Sequence, residues 1–240
     1  MKNVIMVLVV FLALTGCEEL MRFSTDPSGG LPAGPGDDPR FHVQLTGGES
    51  FEVLEGDVEV AIPDSAPDAG AEGGTVFEQG GLLEIDGFED ASSLGRTMVV
   101  RLQFTGLGDV GAEYIQYRME SSDGEEHARL RKFPGSEDGS ATELLFRSET
   151  GSGHDVSDSR HDLLVTDELH TIAFGGSGTL DGFLIRNDEL VHDTSDFGWR
   201  RIDYGALDTV EIAVFEGSVE ITDVMLFDYR LSAEQVNDLF

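Results

Sequence analysis

Glu84, Asp86 and Glu89 stand in an E-x-D-x-x-E string. Two carboxyl groups about 5 Å apart on one face are what retaining glycoside hydrolysis needs, one as nucleophile and one as acid/base. Strand alternation relieved by a bulge would bring Glu84 and Glu89 together. Against this, Asp86-Gly87 is a turn signal that ends a strand before Glu89, no Trp lies nearby, and a chain with 47 acidic residues spells such strings by chance. The single Trp falls in Asp196-Phe197-Gly198-Trp199-Arg200-Arg201-Ile202-Asp203-Tyr204. There the rings of Trp199 and Tyr204 would stack on the CH surface of a sugar, while Arg200 and Arg201 grip carboxylate or sulfate. The alternative is that Trp199 and Phe197 plug a sandwich edge and both Arg pair with local Asp. Basic residues gather at Arg118, Arg129, Arg131, Lys132 and Arg147. Of these, Arg118, Arg129 and Arg131 form a stripe for acidic polysaccharide, or else pair across strands with Glu120 and Glu143. Asp155, Asp158 and Asp162, beside His154 and His161, offer oxygen ligands for Ca²⁺ or make a solvated polar loop; the sequence has no EF-hand spacing and no HExxH.

The one Cys of the chain sits at position 17. Before it lie a short positive start (Met1, Lys2, Asn3) and the apolar run Val4 to Leu14, too short to span a bilayer and shaped like a signal-peptide core. Leu14-Thr15-Gly16-Cys17 resembles the bacterial lipobox. That resemblance implies cleavage after Gly16 and lipidation of Cys17, where two or three acyl chains make a hold that one would not. Glu18, in place of the Asp linked to inner-membrane retention in enteric bacteria, favours the outer membrane or cell surface. Residues 17–40 then read as a lipidated Cys and a flexible spacer, with four of the seven Pro between positions 27 and 39.

Of 240 residues, 47 are Asp or Glu and 15 are Lys or Arg, a formal net charge of -32. Such a chain repels phosphate backbones, which disfavours nucleic acid as a partner. The hydrophobic fraction of 40% and 15 Phe exclude a disordered acidic tail. One Cys leaves no intrachain disulfide and no CxxC site. Nucleophile elbow, P-loop, dinucleotide fingerprint and self-similar repeat are all missing from the sequence. After cleavage Lys132 is the only Lys, and an acidic, Lys-poor surface suits high salt, where screening relieves self-repulsion.

These residues need a scaffold, and the pattern from Phe41 onward has period two. Met98, Val100, Leu102 and Phe104 fall on one face of a strand, as do Ile115, Tyr117 and Met119. Further runs lie at His127–Phe133, Glu143–Ser148, Leu169–Phe174, Thr179–Ile185, Thr209–Phe215 and Val219–Tyr229. Ser122-Asp123-Gly124 and Asp138-Gly139-Ser140 read as hairpin turns, and Pro63 to Gly74 as a loop. Many short alternating strands indicate an all-β antiparallel sandwich or barrel. A helical period occurs only at the end, where Ser232 and Gln235 make a capping box and Val236, Leu239 and Phe240 are expected to face inward.

The stretch Gly217-Ser218-Val219-Glu220-Ile221-Thr222-Asp223-Val224-Met225-Leu226-Phe227, followed by Arg230-Leu231-Ser232-Ala233-Glu234-Gln235-Val236, resembles the closing signature of laminin-G-like, concanavalin-A-type domains. Thr222 stands where the family has Asp, and Gln235 where it has Glu. Leu169-His170-Thr171-Ile172-Ala173-Phe174 is similar to the family's "W-H-H-V-A" strand, Gly182 to Val191 to its following hairpin, and Gly81 to Ile85 with Thr97 to Phe104 to an earlier segment. The resemblance covers roughly residues 41 to 240. It implies a two-sheet jelly roll whose rim loops bind glycans or proteins, in some relatives through Ca²⁺. In the same fold class, laminarinase-type hydrolases carry an E-x-D-x-x-E string like that at Glu84; the likeness implies one Glu as nucleophile, Asp86 orienting it and Glu89 as acid/base.

The expectation is therefore a signal peptide (1–16), a tether (17–40) and a laminin-G-like two-sheet jelly-roll sandwich with a short C-terminal helix (41–240). Its role is non-catalytic binding or adhesion to a polysaccharide or surface protein, with membrane attachment through the lipid. The alternatives are a glycoside hydrolase using Glu84 and Glu89, and a purely structural surface protein.

Overall fold

Residues 98–104 alternate because they lie in a long strand, β7 (Arg96–Gly106), that turns Met98, Val100, Leu102 and Phe104 into an apolar core. The computed structural model describes residues 38–63, 67–87, 96–106, 113–121, 124–132, 142–148, 154–158, 168–177, 181–193 and 207–240, with the strands between 113 and 158 described by their backbone. All of these lie in one compact unit, Gly34–Phe240.

Two antiparallel sheets make up the unit. The first runs in the order β14 (Glu189–Asp193), β13 (Asp181–Arg186), β12 (Leu169–Ser177), β7, β16 (Ser218–Phe227), β1 (Phe41–Gly47) and β2 (Ser50–Glu55). β5 (Thr75–Glu78) also pairs with β16, and β4 (Asp68–Ala69) with β5. The second runs β11 (His154–Asp158), β10 (Thr142–Ser148), β9 (Gly124–Lys132), β8 (Glu113–Ser121), β15 (Leu207–Val214), β6 (Leu82–Asp86) and β3 (Glu59–Ala61). The expected all-β sandwich is the observed fold. Phe41, Val43 and Ile221 of the first sheet meet Leu83, Ile85 and Ile212 of the second in one core, where burying each such side chain contributes about 1.5–3 kcal/mol.

β16 sits at the centre of the first sheet and is buried along almost its whole length. One face joins the inter-sheet core through Val219, Ile221, Val224 and Leu226. The other packs Met225 and Phe227, with Val99, Phe183 and Ile185, under Leu231 and Val236 of the C-terminal segment. A strand covered on both sides reads as a continuous apolar run, which Val224-Met225-Leu226-Phe227 does. A register shift against β7 between Ile221 and Asp223 inserts one extra residue. This bulge lets Thr222 and Asp223 follow one another without sending either into the core.

The C-terminal helix α1 (Ala233–Asn237) begins with the expected capping box: Gln235 N–H donates to Ser232 Oγ at 3.1 Å, and Ser232 N–H donates to Gln235 Oε1 at 2.8 Å. Val236 is buried, but Phe240 is 45% exposed and does not face the core as the helical period predicts. The helix stops at Asn237, so the period no longer governs position 240; the Phe240 ring instead lies against the Arg101 guanidinium, 4.4 Å from the ring centroid. Thr97 ties the segment down: its Oγ1 donates to the Tyr229 carbonyl at 2.7 Å and accepts from the Leu231 amide at 2.9 Å. Among the described residues no helix is long and apolar enough to cross a membrane.

Candidate functional site

Val219 and Ile221 face the core, so strand alternation turns Glu220 to the outer face of the first sheet; Leu102 and Phe104 do the same for Gln103. The ladder sets Glu220 directly opposite Gln103. Polar residues on an outer sheet face ordinarily meet water, yet Glu220 is 0% and Gln103 6% exposed. The cause is the glycine-rich segment Gly70–Gly74, which folds over the carboxylate. The amides of Glu72 and Gly74 donate to Glu220 Oε1 at 2.9 and 2.8 Å. Gly70 N–H donates to the Gly74 carbonyl at 2.8 Å and closes the loop on itself. A Cβ at residue 70 would lie 1.9 Å from the carboxyl carbon of Glu220, so only glycine lets the chain approach this closely.

The arrangement leaves two oxygens unmatched. Glu220 Oε2 and Gln103 Oε1 are buried without a hydrogen-bond partner. Among the described residues no Lys, Arg or His pairs with Glu220. Past the bulge the face stays polar: His42 Nε2 and Asp223 Oδ1 are 2.9 Å apart, and Thr222 Oγ1 donates to the Arg101 carbonyl at 3.4 Å. Asp223 stands opposite Arg101 in the ladder.

The outer face of the second sheet carries four of the residues singled out from the sequence: Glu84, Arg118, Arg129 and Arg131. Glu84 is on β6, directly opposite Glu211 on β15. Glu211 in turn stands opposite Arg118, Arg118 opposite His127, His127 opposite Arg147, and Arg147 opposite Asp155. Register thus places Arg118, Arg129 and Arg131 on one face, as the stripe requires. It also places an acid across from Arg118 and Arg147, and Glu143 across from Arg131. β6 ends at Asp86, and Gly87 follows with φ 84°, a left-handed turn position.

Asp155 and Asp158 do not lie in a loop. Both are on β11, the edge strand of the second sheet, where a spacing of three puts them on opposite faces. Cross-strand pairing to β10 overrides a sequence with little apolar alternation. Among the described residues no group of three or more His, Cys, Asp or Glu is arranged to hold a metal ion. Asp162, Glu89, Cys17 and the segment with Trp199, Arg200, Arg201 and Tyr204 lie outside the described residues. Sequence reasoning missed Glu220 and Gln103, and the only signal for them was the Gly70-x-x-Gly73-Gly74 spacing of the covering loop.

The chain folds like the binding domains of botulinum neurotoxins. The receptor binding domain of the C/D mosaic serotype superposes with a TM-score of 0.64 at 14% identity, covering 85% of this chain and 51% of that one. The serotype D ligand binding domain in complex with N-acetylneuraminic acid gives 0.62 at 14% identity, over 84% of this chain and 50% of that one. The structure of botulinum neurotoxin type C, whose cell entry is dependent upon interaction with two ganglioside molecules, gives 0.63 at 9% identity, over 82% of this chain and 50% of that one. The chain therefore spans about half the length of these neighbours, and at such identities the likeness shows the fold. No protein-family model and no curated protein matches the sequence.

Proposed function

We propose that this chain is a non-catalytic glycan-binding β-sandwich, lipidated at Cys17 and lifted from the outer membrane or cell surface by residues 17–40. The observation that carries the reading is the superposition of some 85% of the chain on a receptor binding domain. Neighbours of the same fold hold N-acetylneuraminic acid or depend on gangliosides for cell entry, and the laminin-G-like resemblance of the C-terminal strand and helix points to the same ligand class. By residue type, the segment with Trp199, Arg200, Arg201 and Tyr204 would supply stacking faces and forked cations for a sugar acid. A glycan array probed with the purified protein and with Trp199→Ala tests this. Binding that is weakened at least tenfold in the variant supports it, and an array silent for the wild type refutes it in favour of a structural surface protein. Radiolabelled palmitate incorporated by the wild type and not by Cys17→Ser tests the anchor.

One observation favours a second reading. Glu84 and Glu211 are directly opposed across the ladder, where Cβ atoms lie about 4.5–5.5 Å apart. Directly opposed residues project from the same face, and carboxyls paired on one face are what a retaining glycoside hydrolase needs. Reducing-sugar release from β-glucan, abolished in both Glu84→Gln and Glu211→Gln, would replace the binding reading with this one.

A further inference from the structure

We infer that Glu220 Oε2 and Gln103 Oε1 are two ligands of a divalent-cation site, of the Ca²⁺ type, closed by the Gly70–Gly74 loop. The argument starts from charge. A carboxylate withdrawn from water needs a compensating positive partner or enough donors to stand in for one. Two amides serve Oε1, while Oε2 receives nothing and no described basic side chain pairs with the group. Its neighbour across the ladder adds a second acceptor where a donor would be expected. Two orphaned oxygens on residues directly opposed in the ladder, both residues more than nine-tenths buried, ask for a species that accepts electron density from each. A hard cation does this, and oxygen-only ligation selects Ca²⁺ over softer metals. Loop carbonyls and water would complete the shell. With one carboxylate in it, the site falls in the weak class of about 10⁻⁴–10⁻³ M. In a chain of net charge -32, the surrounding field raises the local cation concentration and offsets part of that weakness. Asp155 and Asp158, on β11 of the second sheet, are not part of it.

Thermal unfolding of the full-length protein, at fixed ionic strength, with millimolar CaCl₂, MgCl₂ or chelator, tests the site. Calcium is expected to raise the wild-type Tm by a few degrees over chelator and over magnesium. Glu220→Gln keeps the acceptor for both loop amides, removes the charge and places an amide donor beside Gln103. Its Tm should be independent of calcium and no lower than that of the chelated wild type. Gln103→Leu should fold and lose most of the calcium shift. A wild-type Tm that ignores calcium overturns the proposal. So does a shift of equal size in wild type and Glu220→Gln, which would come from surface carboxylates, or a calcium-blind wild type whose stability rises as pH falls, which would make a proton the compensating charge.

Discussion

Thr97→Val removes a single oxygen and almost no volume, and it isolates the energy that holds the C-terminal segment on the first sheet. Thr97 is 0% exposed, and its hydroxyl both donates to Tyr229 and accepts from Leu231. Without it the buried Leu231 amide loses its acceptor, at a cost of roughly 1–3 kcal/mol, and the bond to the Tyr229 carbonyl is lost for about 1 kcal/mol more. The expected loss is about 2–4 kcal/mol, read from urea unfolding followed by circular dichroism. Heating should show the same loss, at roughly 2–4 °C of Tm per kcal/mol for a chain of this size. Thr97→Ser is the control: it keeps the hydroxyl and gives up one methyl, for about 1 kcal/mol. If Thr97→Val costs no more than Thr97→Ser, the hydroxyl does not dock the segment and the reasoning fails.

Phe174→Ala, 1% exposed in the core, should cost about 3–5 kcal/mol in the same assay, whereas Phe215→Ala, 47% exposed, should stay within about 1 kcal/mol. Gly70→Ala drives a methyl into the Glu220 carboxylate; melts should show a loss of about 2–4 kcal/mol together with the calcium shift. Gly73→Ala, with φ 88° and open space around its Cβ position, should lose only about 1–2 kcal/mol, the backbone cost of the left-handed region. Ser232→Ala should weaken α1 by about 1 kcal/mol, seen as faster hydrogen exchange at the Val236 amide, which bonds the Ser232 carbonyl.

Local patterns in the sequence were reliable where local physics decides. Alternation from Met98 to Phe104 marked β7, the hairpin expected over Gly182 to Val191 is β13 and β14, turning at Asn187 with φ 55°, and Ser232 with Gln235 marked α1. β11 was unreadable because His154-Asp155-Val156-Ser157-Asp158 has no apolar face of its own; only its pairing to β10 makes it a strand. Glu220 looked like an ordinary outward acid in Val219-Glu220-Ile221. Its burial depends on the Gly74 amide, 146 residues away in the chain, and no window of sequence contains that fact. The bulge at Thr222 was equally hidden, because it shows only as a slip against β7.

The central place of β16 has a consequence for how the protein is made. β1 is the first strand of the sandwich to leave a ribosome, and its neighbour β16 is the last; His42 and Asp223 are 181 residues apart. Until that final strand arrives, β7 has β12 on one side and an unpaired ladder on the other, and β1 has only its hairpin with β2. Nascent chains would thus carry open strand edges for most of their synthesis, and such long-range closure is slow. On the proposed export route that delay would be an advantage, since a translocation channel takes unfolded polypeptide, and the strand that closes the sheet would be the last to cross.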